Sequence, residues 1–166
     1  MLDLVFKNYI TRSQSGRSNR RMTATRKSPG VIFFKKILGI TIKELKIKDK
    51  KIEVSLNLVG ETKIKELNNK YRNKNEVTDV LSFPLKESRL KKHDILPLGD
   101  IFICLPFAFK ELKKSRLIGD PPMRRELAKL TVHGFLHLLG YDHERSKHDA
   151  TKMFRLESKI LNKLKK

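Results

Sequence analysis

The chain has one cysteine, Cys104, and no tryptophan in 166 residues. A single thiol excludes an internal disulfide and any zinc site built from several cysteines, and it suits a reducing compartment. No apolar run approaches the ~18 residues that a membrane-crossing helix needs, which excludes an integral helical membrane protein. Aromatic residues are only 7% of the chain, too few for an extended track of stacked bases. Acidic residues are also scarce, 18 against 38 Lys and Arg, and none stands between Asp3 and Glu44. The net charge of +20 points to a polyanionic partner, nucleic acid before an anionic membrane surface.

What is present fits one domain spanning residues 1–166. Hydrophobic residues make up 39%, enough for a single core at this length. Met1 to Ile10 alternates loosely and reads as a strand. Thr11 to Gly30 is rich in Ser, Thr and Arg, and reads as a basic, flexible stretch inserted after it. An acid-poor, Arg-rich start also has the character of an organellar transit peptide, but no apolar segment of a secretory signal precedes a small-residue cleavage site. Pro29 near a first turn predicts a helix over Val31–Leu45.

Lys51–Val59 alternates with period two, placing Ile52, Val54, Leu56 and Leu58 on one face of a half-buried strand. Gly60 ends it. Ile64, Leu67 and Tyr71 predict a short helix over Glu61–Tyr71, with a polar turn over Arg72–Glu76. Thr78–Pro84 predicts a strand stopped by proline, Lys86–Pro97 a charged loop, and Leu98–Cys104 a central strand. Phe107–Ile118, Met123–Leu139 and Ser146–Leu164 read as helices. The order of elements implies an α+β fold, a small mixed β-sheet packed with helices.

The chemistry concentrates in His133-Gly134-Phe135-Leu136-His137-Leu138-Leu139-Gly140-Tyr141-Asp142-His143. Residues four apart share a helix face, so His133 and His137 can bite one metal ion. Gly140 suits a left-handed helix end that turns the chain back and brings His143 to the same point. Three neutral imidazoles leave one tetrahedral position open, the layout of a catalytic rather than a structural zinc site. The histidine and glycine spacing equals that of metzincin peptidases. A peptidase, however, needs Glu after the first histidine as general base, and Gly134 cannot take a proton. His93 and His148 lack such company and read as a loop residue and an exposed helix residue. Cys104, apolar on both sides, reads as a buried core thiol.

The histidine string resembles the signature of the YbeY endoribonucleases, also called rRNA maturation factors. Asn68-Asn69-Lys70-Tyr71-Arg72, Thr78–Pro84 (TDVLSFP) and Leu98-Gly99-Asp100-Ile101 fall in that family's order and rough spacing. The segment after His143 is similar to the family's closing acidic-apolar helix, though more basic. The likeness runs from about Lys51 to the end; the stretch from Thr11 to Gly30 departs from it. It implies a single-strand-specific, metal-dependent endoribonuclease acting in small-subunit rRNA 3′-end processing and ribosome quality control. It implies one zinc ion per chain on His133, His137 and His143, and functional roles for Arg72 and Asp100. The implied partners are single-stranded RNA, rRNA and the small ribosomal subunit, with a ribosomal protein or assembly GTPase as candidates and no membrane. The implied site of action is the cytoplasm, or an organelle if the N-terminal segment is a transit peptide. The rival readings are a non-catalytic zinc-containing RNA-binding assembly factor and a metzincin-like peptidase.

Elementary chemistry gives these residues candidate duties. Arg72 is a planar, permanently charged fork suited to a phosphate. Asp100 suits either a proton acceptor in place of the missing Glu or a carboxylate that fixes a ligand histidine, and the two stay open. Asp142 reads as a turn-former or a support for the metal ligands. Ser82 reads as structural, on a strand lining the cleft. Lys65, Lys70, Lys74, Lys86, Lys91 and Lys92 would supply phosphate affinity without sequence specificity. Met153, Leu156, Ile160, Leu161 and Leu164 form one stripe of the last helix, read as core packing rather than a partner-docking surface.

Overall fold

The computed structural model describes residues 1–10, 30–47, 51–85, 95–115 and 120–164. The basic stretch at 11–29, the loop lysines Lys86, Lys91 and Lys92, and His93 lie outside the described residues. Four strands form one sheet: β1 (Leu2–Asn8), β2 (Lys51–Val59), β3 (Val80–Pro84) and β4 (Ile95–Cys104). Their order is β1-β2-β4-β3. β1 and β4 run parallel to β2, and β3 is antiparallel to β4. The sheet is therefore mixed, as the sequence implies.

The described helices are α1 (Val31–Glu44), α2 (Glu61–Arg72), α3 (Leu105–Lys114), α4 (Asp120–Leu138) and α5 (Lys147–Leu164). Parallel neighbours need a long connection rather than a hairpin; α1 lies between β1 and β2 in the chain. Residues alternate across a strand, so each strand serves two faces. Leu4, Ile52, Val54, Leu56, Ile101 and Ile103 face the large core, shared with Phe34, Leu38 and Phe135. Leu81, Val59 and Cys104 face the other way, with Ile64 of α2.

β4 begins at Ile95, inside the segment that sequence alone reads as loop. Pro97 and Gly99 break the strand pattern there. The ladder absorbs them by a register shift at Glu53/Val54, where Glu53 pairs with Pro97 and Val54 with Gly99. Gly99 has φ +129°, and a side chain there would run into the backbone carbonyl of Phe83. Only glycine tolerates both the dihedral and the approach.

The helix carrying the histidines is more deeply set than its amphipathic pattern suggests. Leu127, Leu130, Thr131, Val132, Phe135 and Leu136 are all buried, because α4 lies between the sheet and helices α1 and α5. Thr131 satisfies its hydroxyl in that apolar setting by donating to the Leu127 carbonyl at 2.6 Å. Met153 and Ile160 of the α5 stripe are fully buried in the same core, which is the packing role expected of them. No described helix is long and apolar enough to cross a membrane.

Candidate metal centre

Helix α4 sets the first two candidate ligands. His133 and His137 stand one turn apart, with their Nε2 atoms 3.1 Å from each other. The helix then closes on a left-handed glycine, Gly140 at φ +87°. The Gly140 amide donates to the His137 carbonyl and the Tyr141 amide to the Leu136 carbonyl. This pair of bonds defines a glycine-terminated helix end. It folds the chain back so that His143 joins the other two. One nitrogen from each ring lies within 4.8 Å of the others, a spacing that lets a single cation touch all three.

The turn is held by Asp142. Its carboxylate accepts from the Glu144 amide at 2.9 Å and pairs with Arg145 Nε at 3.2 Å. The Glu144 amide, then Arg145 and the nearby imidazoles, keep Asp142 below the usual carboxylate range. Asp142 is thus the turn-former of the two duties open to it. Burial, followed by the charges of His133 and His143, pushes His137 below the ordinary imidazole value; Asp142 and the Tyr141 backbone act in the opposite sense. A neutral imidazole keeps the lone pair that a metal needs.

Two residues that sequence reasoning missed lie against the trio. Glu157 of α5 accepts from His133 Nδ1 at 2.9 Å while 7% exposed. This bond fixes the tautomer and leaves Nε2 turned to the site, the usual support for a ligand histidine. The signal was an acid interrupting a buried stripe, between Met153 and Ile160. The second is Phe154, whose ring stacks on His143 with centroids 5.5 Å apart and planes 26° apart.

Arg72 reaches the same place from the other side of the chain. α2 stops there because Asn73 takes the left-handed conformation at φ 56°. Asn68 donates to the Glu76 carbonyl at 2.9 Å and ties down the turn. Tyr71 packs on Phe83 with centroids 4.9 Å apart, fixing the helix end to the sheet. Arg72 Nη2 then meets both carboxylate oxygens of Glu144, the residue after His143, at 3.1 and 3.0 Å. The Arg72 hydrogen bond and charge hold Glu144 below the usual carboxylate range. Lys65, Lys70 and Lys74 are all exposed on α2 and the turn beyond it.

Asp100 is placed differently. It pairs with Ser55 across β2 and with Phe83 across β3, so it shares their face of the sheet. Gly134 of α4 sits over its neighbour Ile101, on the opposite face: a Cβ at Gly134 would lie 2.9 Å from Ile101 Cγ2 and from Ser82 Oγ. The Asp100 position thus lies on the face opposite the one that Gly134 covers. Ser82 is a packing residue against Gly134. The same contact explains the missing Glu of the peptidase pattern, since a side chain at position 134 would press on Ile101 of β4 and Ser82 of β3. His148 is exposed, and Cys104 is fully buried, both as the sequence implies.

The profile of the family described as Endoribonuclease YbeY matches residues 19–165, well upstream of Lys51, where the likeness first becomes legible by eye. An Endoribonuclease YbeY of Persephonella marina is 43% identical over 114 residues, 69% of this chain and 71% of that protein. One of Thermodesulfovibrio yellowstonii is 44% identical over 131 residues, 79% of this chain and 76% of that protein. One of Acinetobacter baumannii is 41% identical over 132 residues, 78% of this chain and 80% of that protein. The solution structure of TM1509 from Thermotoga maritima shares the fold, with a TM-score of 0.56 at 24% identity, covering 96% of this chain and 87% of that one.

Proposed function

This chain belongs to the Endoribonuclease YbeY family, and from that premise we propose that it is a single-strand-specific, zinc-dependent endoribonuclease. Its role in this reading is small-subunit rRNA 3′-end processing and ribosome quality control in the cytoplasm. The observation that carries the proposal is the meeting of three imidazole nitrogens within 4.8 Å beside an arginine anchored at the residue after the third histidine.

His133, His137 and His143 would hold one zinc ion per chain. The donor set fits it: nitrogen ligands only, one of them braced by the buried Glu157. Bound there, zinc supplies Lewis-acid polarisation of a phosphoryl oxygen and acidifies water. The chain's own groups bind and orient. Among the described residues Arg72 bonds Glu144 through Nη2, and its Nε and Nη1 donors would serve a phosphate oxygen. Its positive charge offsets the charge that grows on the phosphoryl group as the bond breaks. Exposed Lys65, Lys70 and Lys74 and the overall +20 charge draw RNA in by its backbone, with affinity that falls steeply as salt rises. Glu157 braces His133, and Asp100 keeps the two duties suggested for it, a proton acceptor or a carboxylate that fixes a ligand histidine.

Specificity for one rRNA site then comes from RNA shape and from partners on the small subunit, a ribosomal protein or an assembly GTPase, rather than from base-specific contacts. The test is elemental analysis of the purified protein together with cleavage of a single-stranded and a duplex RNA, before and after chelation. We expect one zinc per chain and cleavage of the single strand only, lost on chelation and restored by zinc. A protein that holds zinc and binds RNA but cuts neither substrate is the non-catalytic assembly factor instead.

A further inference from the structure

We propose that Phe154 is a stacking platform for one unpaired nucleobase of the RNA, next to the phosphate held at the metal centre. The inference rests on the ribonuclease reading and adds a base-binding subsite to it.

Phe154 sits in the same helix turn as Met153, which is fully buried, yet it remains 47% exposed. It belongs to neither hydrophobic cluster. Leaving that much aromatic surface in water is unfavourable at about 25 cal/mol per Å², and core packing does not account for it. One face of the ring lies nearly parallel to the His143 imidazole. The residues one turn away on α5 are the exposed Thr151 and Ser158, the half-buried Ala150 and the inward Glu157. Thr151, Ser158 and Ala150 are all too small to cover a phenyl ring, which stays 47% exposed. Shielding His143 would need an apolar side chain but not a half-exposed aromatic plane.

Position supplies the ligand class. Arg72 meets Glu144, Glu144 follows His143, and His143 stacks on Phe154. The phosphate-binding guanidinium and the exposed ring thus flank the third histidine. A strand whose phosphate lies between Arg72 and the histidines has a neighbouring base within reach of the ring. Only an unpaired base offers a free π-face, which gives the single-strand requirement a physical cause. With aromatics so sparse in this chain, one ring at the site is a local grip and not a track.

The chain has no tryptophan, so Phe154→Trp creates a single fluorescent reporter at this position. We expect its emission to be quenched by a single-stranded oligouridylate, but not by a duplex or by the same oligomer made abasic. Phe154→Ala should bind the oligomer about tenfold more weakly, with zinc content unchanged, and should bind the abasic oligomer as the parent protein does. Unchanged affinity of Phe154→Ala, an equal loss on the abasic oligomer, or loss of zinc would each overturn the proposal; the last would make the ring a cover for His143. Quenching is read without turnover. A protein that stacks RNA but does not cut it would sink the nuclease reading and leave this subsite standing.

Discussion

Arg72 and Glu144, 72 positions apart in the chain, are joined by one guanidinium nitrogen that contacts both oxygens of the carboxylate. The bond docks the end of α2 against the loop of the third histidine. Both side chains are partly exposed, at 40% and 58%, so the pair adds little to stability. Its effect is on aim: it holds the guanidinium by one corner, Nη2.

Arg72→Ala should therefore lower kcat/KM by about two to three orders of magnitude, with zinc content and Tm unchanged. Glu144→Ala should lower it by no more than about fivefold. The double variant should match Arg72→Ala alone, because Glu144 acts only through the arginine. Additive losses in that cycle would show that Glu144 acts on the substrate by a separate route.

Glu157→Ala removes the brace from His133 and leaves the imidazole Nδ1 without a partner. Zinc affinity should fall about 10–100-fold, read by competition with a chromogenic chelator. Glu157→Gln still fills the space and should fall between the two. Equal zinc affinity in all three proteins would contradict the role given to Glu157.

Gly134→Ala tests the pressed contact between α4 and the sheet. In an open helix the change would stabilise by about 1 kcal/mol. Here the new methyl meets Ile101, a fully buried side chain, at 2.9 Å. A net loss of about 1–2 kcal/mol follows, seen as a Tm lower by a few degrees. Gly134→Glu, which completes the peptidase pattern, should misfold rather than hydrolyse peptides.

Burial pushes the Cys104 thiol up to about 12. It stays protonated at pH 8 and should not react with a disulfide reagent until the protein is denatured. The sign of its pH effect follows from a folded value above the unfolded one. The contribution to stability is intact below about pH 9 and declines between 9 and 12, as the unfolded thiol ionises first. Denaturation midpoints of the parent and Cys104→Ala across that range should converge at high pH.

The parts of the fold written in local pattern were legible in the sequence. β2 has the predicted bounds because its alternation is uninterrupted, and the histidine trio was readable because spacing and one glycine define it. What depends on distant packing was not. The start of β4 was hidden by Pro97 and Gly99, which only a shifted register accommodates. Alternation puts Asp100 and Ile101 on opposite faces, but it does not say which face α4 covers. Glu144 looks like an ordinary surface acid until the fold sets it beside Arg72, and Glu157, though it interrupts an apolar stripe, does not name His133 as its partner.

All three candidate ligands fall within residues 133–143, on one helix turn and the bend after it. Closing so short a loop carries a small entropic penalty. The guanidinium and the bracing carboxylate come from distant segments and arrive only with tertiary structure. The histidine trio is thus a local feature of the chain, whereas the groups that aim and brace it are joined to it only by the folded tertiary structure.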